Sequence, residues 1–292
     1  MNIRLLMCVC AVAGWDTIAV AARPTSLATP SVVATVNDQL RAAWQEHHLT
    51  AAPDVDDAGW LRRVTLDITG TLPESQEVRN FLDDTADDKR ARAVERLLSS
   101  AAYAEHWATY WDNVLMGRLT REIYLDRPAF HEWLVEQFAS NTPWDKIVRE
   151  LVTAEGYNST RQPLRGGGEM PSDLATRFNP AVNWFLRYSR SLPDLSSATS
   201  KVFLGVQIQC AQCHDHKTEK WTQNDFKQFT ACFSKTFPTY VDKGRMLGQM
   251  VGINRLELKD RWFAPPVDKY EQLFGSYKDY IDPKPKLLDG PE

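Results

Sequence analysis

The chain has 292 residues, 43% hydrophobic and 25% charged, an ordinary globular composition with enough residues for a real core. Its formal charge of −4 is mild, which excludes a strongly basic face for nucleic acid or anionic lipid. Its five cysteines are not spread along the chain as those of a disulfide-stapled scaffold would be.

Residues 1–22 read as a secretory signal peptide. Arg4 supplies the positive end, Leu5 to Gly14 a short apolar run, and Ala19-Val20-Ala21 or Val20-Ala21-Ala22 the small residues of a cleavage site. The run is too short to span a bilayer, and Trp15-Asp16 interrupts it. The alternative is an uncleaved interfacial anchor. No other segment approaches the ~20 apolar residues of a membrane span. The expected product is secreted or periplasmic, with no integral membrane span. Cys8 and Cys10 leave with the signal, so the exported chain keeps Cys210, Cys213 and Cys232. An odd set of thiols, two of them three residues apart, points to chemistry rather than a staple.

Residues 23–35 are rich in Ala, Thr, Ser, Pro and Val and read as a linker. A helical domain is expected over 36–240, starting with a helix near Val36 to His47. Thr71-Leu72-Pro73-Glu74 has the form of a capping box, opening a helix with Val78, Phe81 and Leu82 on one face. Further helices are expected over Asp87 to Leu98, Tyr103 to Leu115, 128–140 and 143–154, the last with Pro143 in its first turn. Gly156 to Asp173, with Arg165-Gly166-Gly167-Gly168, is the main break. It lacks the Gly-Lys-Ser/Thr end of a phosphate-binding loop. Helices near Asp194 to Cys213 and Asn224 to Phe233 follow, and residues 241–292 read as an irregular extension or linker. No run alternates with period two for long. The fold class is therefore all-α, a mostly helical orthogonal bundle with long loops.

The chemistry concentrates in Cys210-Ala211-Gln212-Cys213-His214-Asp215-His216. Phe203, Val206, Cys210 and Cys213 fall at helical spacing, so one helix would present both sulfurs on one apolar face. Cys-x-x-Cys-His is the attachment pattern of c-type haem, in which two thiols add to the porphyrin vinyl groups and the histidine becomes an axial iron ligand. Cofactor-binding residues would then be Cys210, Cys213 and His214. Met246 and Met250, four residues apart, are candidates for the sixth ligand, and Met170, His106 and His131 are weaker ones. Three other readings stay open. One is a zinc knuckle of Cys210, Cys213 and His216, with Cys232 or Asp215 as a possible fourth ligand. The second is a Cys210–Cys213 disulfide, and the third is coincidence within a core helix. Cys232 reads as a buried thiol. No catalytic signature is recognisable: there is no Gly-x-Ser-x-Gly elbow, and His131-Glu132 lacks the second histidine of a zincin. The Asp83-Asp84 and Asp87-Asp88 pairs read as solvated charge at helix ends.

The block from Phe203 to His216, followed by Lys220-Trp221-Thr222-Gln223-Asn224-Asp225-Phe226, closely resembles the hallmark of the DUF1549 (PSCyt2, planctomycete cytochrome type 2) family. Leu66 to Pro73, Tyr103 to Trp107 and Trp144 to Gly156 resemble its earlier blocks, so the resemblance runs over roughly residues 36 to 240. It implies a secreted bacterial protein, in many members preceded by a cytochrome-c-like domain and followed by a DUF1553 domain. A redox partner, or a protein carrying DUF1553 or cytochrome domains, is the expected partner. Pro285 to Gly290 resembles the join to the DUF1553 domain, so a free-standing or truncated version is expected. Haem binding is implied by the motif and the family's name; a zinc-bound interaction module of a secreted degradative assembly is the alternative. One departure stands out: the family usually has Pro-Phe-Asp after the second histidine, where this chain has Lys217-Thr218-Glu219.

Overall fold

The computed structural model describes residues 30–118, 125–160, 172–188, 191–234, 236–240, 256–260 and 285–288. The signal segment, the glycine-rich stretch Arg165 to Gly168, and Met170, Met246 and Met250 lie outside the described residues. Two compact units divide at Asp56. The first holds α1 (Pro30–Glu46), which begins within the segment expected to be a linker. It ends where His48 takes a left-handed conformation (φ 54°) and the Leu49 amide closes on the Trp44 carbonyl at 2.8 Å. No helix among the described residues is long and apolar enough to cross a membrane.

Among its described residues the second unit is all-α apart from one small sheet and an isolated bridge. α2 (Asp57–Thr69), α3 (Ser75–Asp83) and α4 (Lys89–Leu98) enclose a compact cluster of Leu61, Phe81 and Ala93. Trp60 stacks on Phe81 with ring centres 5.5 Å apart. Asp57 at the start of α2 holds Lys89 at 2.6 Å and Arg90 at 2.7 Å, joining the first turn of α2 to that of α4. Asp84 and Asp88 are tied to Arg92, so these acidic pairs are surface charge, as expected.

The main core belongs to α5 (Ala101–Met116), α6 (Arg127–Ala139), α7 (Trp144–Thr153), α9 (Val182–Arg187) and α10 (Leu192–Thr199). Phe130, Leu134, Leu151, Trp184 and Leu186 are buried there with Leu115 and Leu195. α5, α6 and α7 match the expected helices to within two residues at each end, whereas α9 was not foreseen. A buried polar knot closes the ends of the bundle. Asp126 caps α6 through the Ala129 amide (3.2 Å) and accepts from the Ser159 hydroxyl (2.5 Å). Asn183 accepts from the Asp126 amide (2.9 Å) and donates to the Asn158 carbonyl (3.2 Å). Burying these groups is tolerable because they satisfy one another. α8 (Leu174–Arg177) and α11 (Gln223–Ala231) complete the helices among the described residues.

Three sequence expectations are corrected. The Thr71 capping box does not form. The Thr71 hydroxyl pairs with that of Thr69 (3.0 Å), which also donates to the Thr65 carbonyl (2.8 Å), so α3 starts only at Ser75 with no side-chain cap. The single long helix from Asp194 to Cys213 is broken. α10 widens into a π turn over Ser200–Leu204, Gly205 turns left-handed (φ 69°), and the Ser200 carbonyl accepts both the Gly205 and Val206 amides. Third, the segment expected to be irregular supplies β3 (Leu256–Asp260). It lies between β1 (Gly156–Tyr157) and β2 (Thr236–Tyr240), antiparallel to both, with Gly156 opposite Leu258 and Thr236 opposite Asp260. Leu256-Glu257-Leu258-Lys259 does alternate, but over too short a run to stand out in the sequence.

Gly70 joins two blocks of the sequence. It ends α2 at φ 69°, and a methyl group there would overlap the His106 ring, which packs edge-on against Trp107 (5.6 Å). Gly70→Ala should destabilise by about 3 kcal/mol, the left-handed penalty plus the overlap. Adding His106→Ala should recover the overlap portion only, read as non-additivity in urea denaturation.

Candidate functional site

After Gly205 the chain runs to a short 3-10 turn, Gln209–Gln212. Residues three apart eclipse one another in such a turn. Ile208 and Ala211 therefore point inward together, 1% and 0% exposed, into a cluster with Trp221, Phe226 and Phe229. Cys210 and Cys213 share the opposite side and are exposed, free thiols. The sulfurs do lie on one face, but it is the solvent face and not the apolar one expected. The pattern that looked like a helix buries Ile208 and Ala211 in place of the cysteines.

The two histidines are in different states. His214 is exposed, and its Nδ1 lies 2.7 Å from the Asp215 carbonyl oxygen. A carbonyl only accepts, so Nδ1 carries a hydrogen, and in the neutral ring Nε2 presents its lone pair. This is the tautomer of a metal-ligating histidine whose other nitrogen is fixed by backbone. His216 is the reverse. Its Nδ1 accepts from the Thr218 (3.3 Å) and Glu219 (3.0 Å) amides, so Nε2 carries the hydrogen. Its own amide donates to the Trp221 carbonyl (2.8 Å), closing a loop over residues 217–220. His216 thus builds the turn that follows the motif. The contacts use only the backbone amides of Thr218 and Glu219. A Pro-Phe-Asp sequence in that place would retain both amides, so this chain's departure there leaves the turn intact.

The loop is riveted to α11. Asp215 accepts from the Gln223 amide (2.8 Å), and the Gln223 side chain donates to the Gln212 carbonyl (3.2 Å). Thr222 and Asp225 form a full capping box: the Asp225 amide donates to the Thr222 hydroxyl (3.1 Å), and the Thr222 amide to the Asp225 carboxylate (2.9 Å). The sequence reading missed this box, although Thr222-Gln223-Asn224-Asp225 ahead of Phe226 carries its signature. Partial burial of Asp225 raises its carboxyl, but the hydrogen bonds from Thr222, helped by Lys286 and Lys220, bring it below the ordinary carboxylate range.

Cys232 ends α11 and is exposed, not buried as expected. Its sulfur lies 3.8 Å from the Gln228 and Lys286 carbonyls, and desolvation raises its thiol pKa. Among the described residues no group of three or more His, Cys, Asp or Glu side chains is placed to hold a metal ion. The zinc alternative through Cys210, Cys213 and His216 therefore finds no preformed cage, and His216 offers no lone pair at Nε2. His131 Nε2 is engaged with Glu105 (3.0 Å), and the His106 ring packs edge-on against Trp107 (5.6 Å). The donor set for haem fits in chemistry: two accessible thiols on one side of a turn, then an accessible imidazole with Nε2 available. Cavities found elsewhere in the unit are not lined by these three residues.

An all-α domain built around an exposed Cys-x-x-Cys-His turn is the class that this geometry defines. The family model PSCyt2, protein of unknown function (DUF1549), matches residues 35–237. The chain belongs to that family. No curated protein and no solved structure matches it.

Thr222→Ala should cost about 1 kcal/mol in thermal unfolding, the usual effect of losing an N-cap. Asp225 has a folded pKa below its unfolded value of about 4, so its stabilisation is present above that value and lost as pH falls through the folded one. Wild type should therefore lose more stability than Asp225→Asn between about pH 5 and about pH 2, followed by parallel melts.

Proposed function

We propose that this chain is an exported c-type cytochrome-like protein that carries haem covalently through Cys210 and Cys213, with His214 as axial ligand. Its role is electron transfer, or redox support of a partner protein such as one carrying DUF1553 or cytochrome domains. The observation that supports this most directly is the state of His214. Its Nδ1–H is held by the Asp215 carbonyl, which fixes the ring and leaves Nε2 to ligate. When bound, haem supplies one-electron chemistry tuned by its axial ligands.

The chain's own residues do the rest. Cys210 and Cys213 would hold the haem through their thiols. Ile208 and Ala211 hold the turn down so that both sulfurs face out. Asp215 orients His214 through its carbonyl and anchors the loop to α11 through its carboxylate. His216 shapes the following turn and takes no part in ligation. Met246 and Met250 are the candidates for the sixth ligand.

Expression with a cytochrome maturation system should give a chain that stains for haem on a denaturing gel, with a pyridine haemochrome spectrum. Cys210→Ser with Cys213→Ser should remove the stain. His214→Ala should lower the yield of attached haem and alter the spectrum, while His216→Ala should leave both unchanged. A wild-type chain exported with no covalent haem overturns the proposal, and stoichiometric zinc in that chain would support the metal-binding alternative.

A further inference from the structure

Residues 285–288 come from far along the chain and are held against α11, the helix that follows the CxxCH turn. The Lys286 amide donates to the Gln228 carbonyl (3.1 Å). The Lys286 carbonyl accepts from the Cys232 thiol, with the sulfur 3.8 Å away. Leu288 packs, partly buried, against the cluster of Ile208, Ala211, Trp221, Phe226 and Phe229. Ile208 and Ala211 are the side chains that hold the turn down and leave both motif sulfurs facing out. Leu288 therefore supports the turn from beneath. Leu287, between these anchors, is 65% exposed and packs on neither of them.

We propose that residues 285–288 form a detachable strap, which steadies the CxxCH turn and shields the Cys232 sulfur when docked and frees both when it opens, while the helical body stays folded. The balance of forces supports local opening. One ordinary hydrogen bond, one weak thiol contact and one half-buried leucine hold the segment. Against them stands the entropy of ordering its backbone and the long Lys286 and leucine side chains, an opposing quantity of similar size. Segments with so few buried contacts open at much lower free energy than the core they rest on. The Cys232 residue is exposed, but its sulfur sits between the Gln228 and Lys286 carbonyls, so opening changes its surroundings directly. Opening also removes one wall from the cluster beneath Ile208 and Ala211, which couples the strap to the turn. The strap acts on the fold of the turn and stands whether or not haem is attached.

The test uses the full chain with its thiols reduced. Alkylation of Cys232 by iodoacetamide is followed by peptide mass spectrometry, which reads each cysteine separately. Hydrogen exchange is followed in parallel at the Ala211 and His216 amides, which close the turn and its loop, and at the Phe130 amide in the main core. Leu288→Ala should speed Cys232 alkylation about fivefold, the effect of losing one modest apolar contact. It should also speed exchange at Ala211 and His216 and leave Phe130 unchanged. Lys286→Pro removes the amide hydrogen given to Gln228 and should act in the same direction. Leu287→Ala should change none of these rates. Unchanged Cys232 alkylation in both Leu288→Ala and Lys286→Pro overturns the proposal. So does an equal effect from Leu287→Ala, or faster alkylation with the Ala211 amide unmoved. A matching rise in exchange at Phe130 also overturns it, because the segment would then be part of the core.

Discussion

Gly205 governs the geometry of the motif. α10 would otherwise continue towards Cys210, and its apolar periodicity invites that. The π turn over Ser200–Leu204 adds a residue to the ring closed on the Ser200 carbonyl, and the left-handed glycine then turns the chain away. A Cβ at Gly205 would meet nothing, so the glycine serves its backbone angle and not a close contact. Because the helix stops there, residues 209–212 take up a tighter helix with a period of three. That period turns Ile208 and Ala211 in and both sulfurs out. A continuous α-helix carrying the same apolar pattern would have turned the sulfurs inward.

The two histidines divide the work by tautomer. Backbone decides both cases: a carbonyl fixes the hydrogen on His214 Nδ1, and two amides fix it on His216 Nε2. Residues two apart with the same side chain thereby differ, one exposed with Nδ1 held by a carbonyl and the other forming a turn. Spacing alone could not separate them, since both sit where a metal knuckle or a haem motif would want a histidine. Asp215 between them links the roles. Its carbonyl serves His214 and its carboxylate serves α11, so that histidine, the turn and the helix start form one hydrogen-bonded piece.

Much of the fold was legible in the sequence because α4 and α7 carry strong apolar periodicity, and burial of Ala93, Leu97, Ile147 and Leu151 follows it. The family blocks were legible as residues in fixed order. What could not be read depends on competing hydrogen bonds. The Thr71 hydroxyl donates to that of Thr69 and caps nothing, whereas the Thr222 hydroxyl donates to the Asp225 carboxylate and accepts the Asp225 amide. The break in α10 was hidden because glycine is tolerated within helical patterns, and only tertiary burial of Ile208 and Trp221 decides that the chain should turn. The exposure of the cysteines follows from that decision and could not precede it.

The small sheet sets an order of events. Its central strand, β3, is the last of the three in the chain, and the family match ends at residue 237, before it. β1 and β2 are neighbours only through β3, so neither joins the sheet until residue 260 has arrived, although Tyr157 also bridges to Phe178. Closing that contact spans about a hundred residues from Gly156 to Leu258, a slow non-local step compared with local helix formation. In a chain folding as it is made, the helices can form while two strand edges still wait for β3 and the cluster under the CxxCH turn still waits for Leu288. During that interval those edges are open to pairing with other chains.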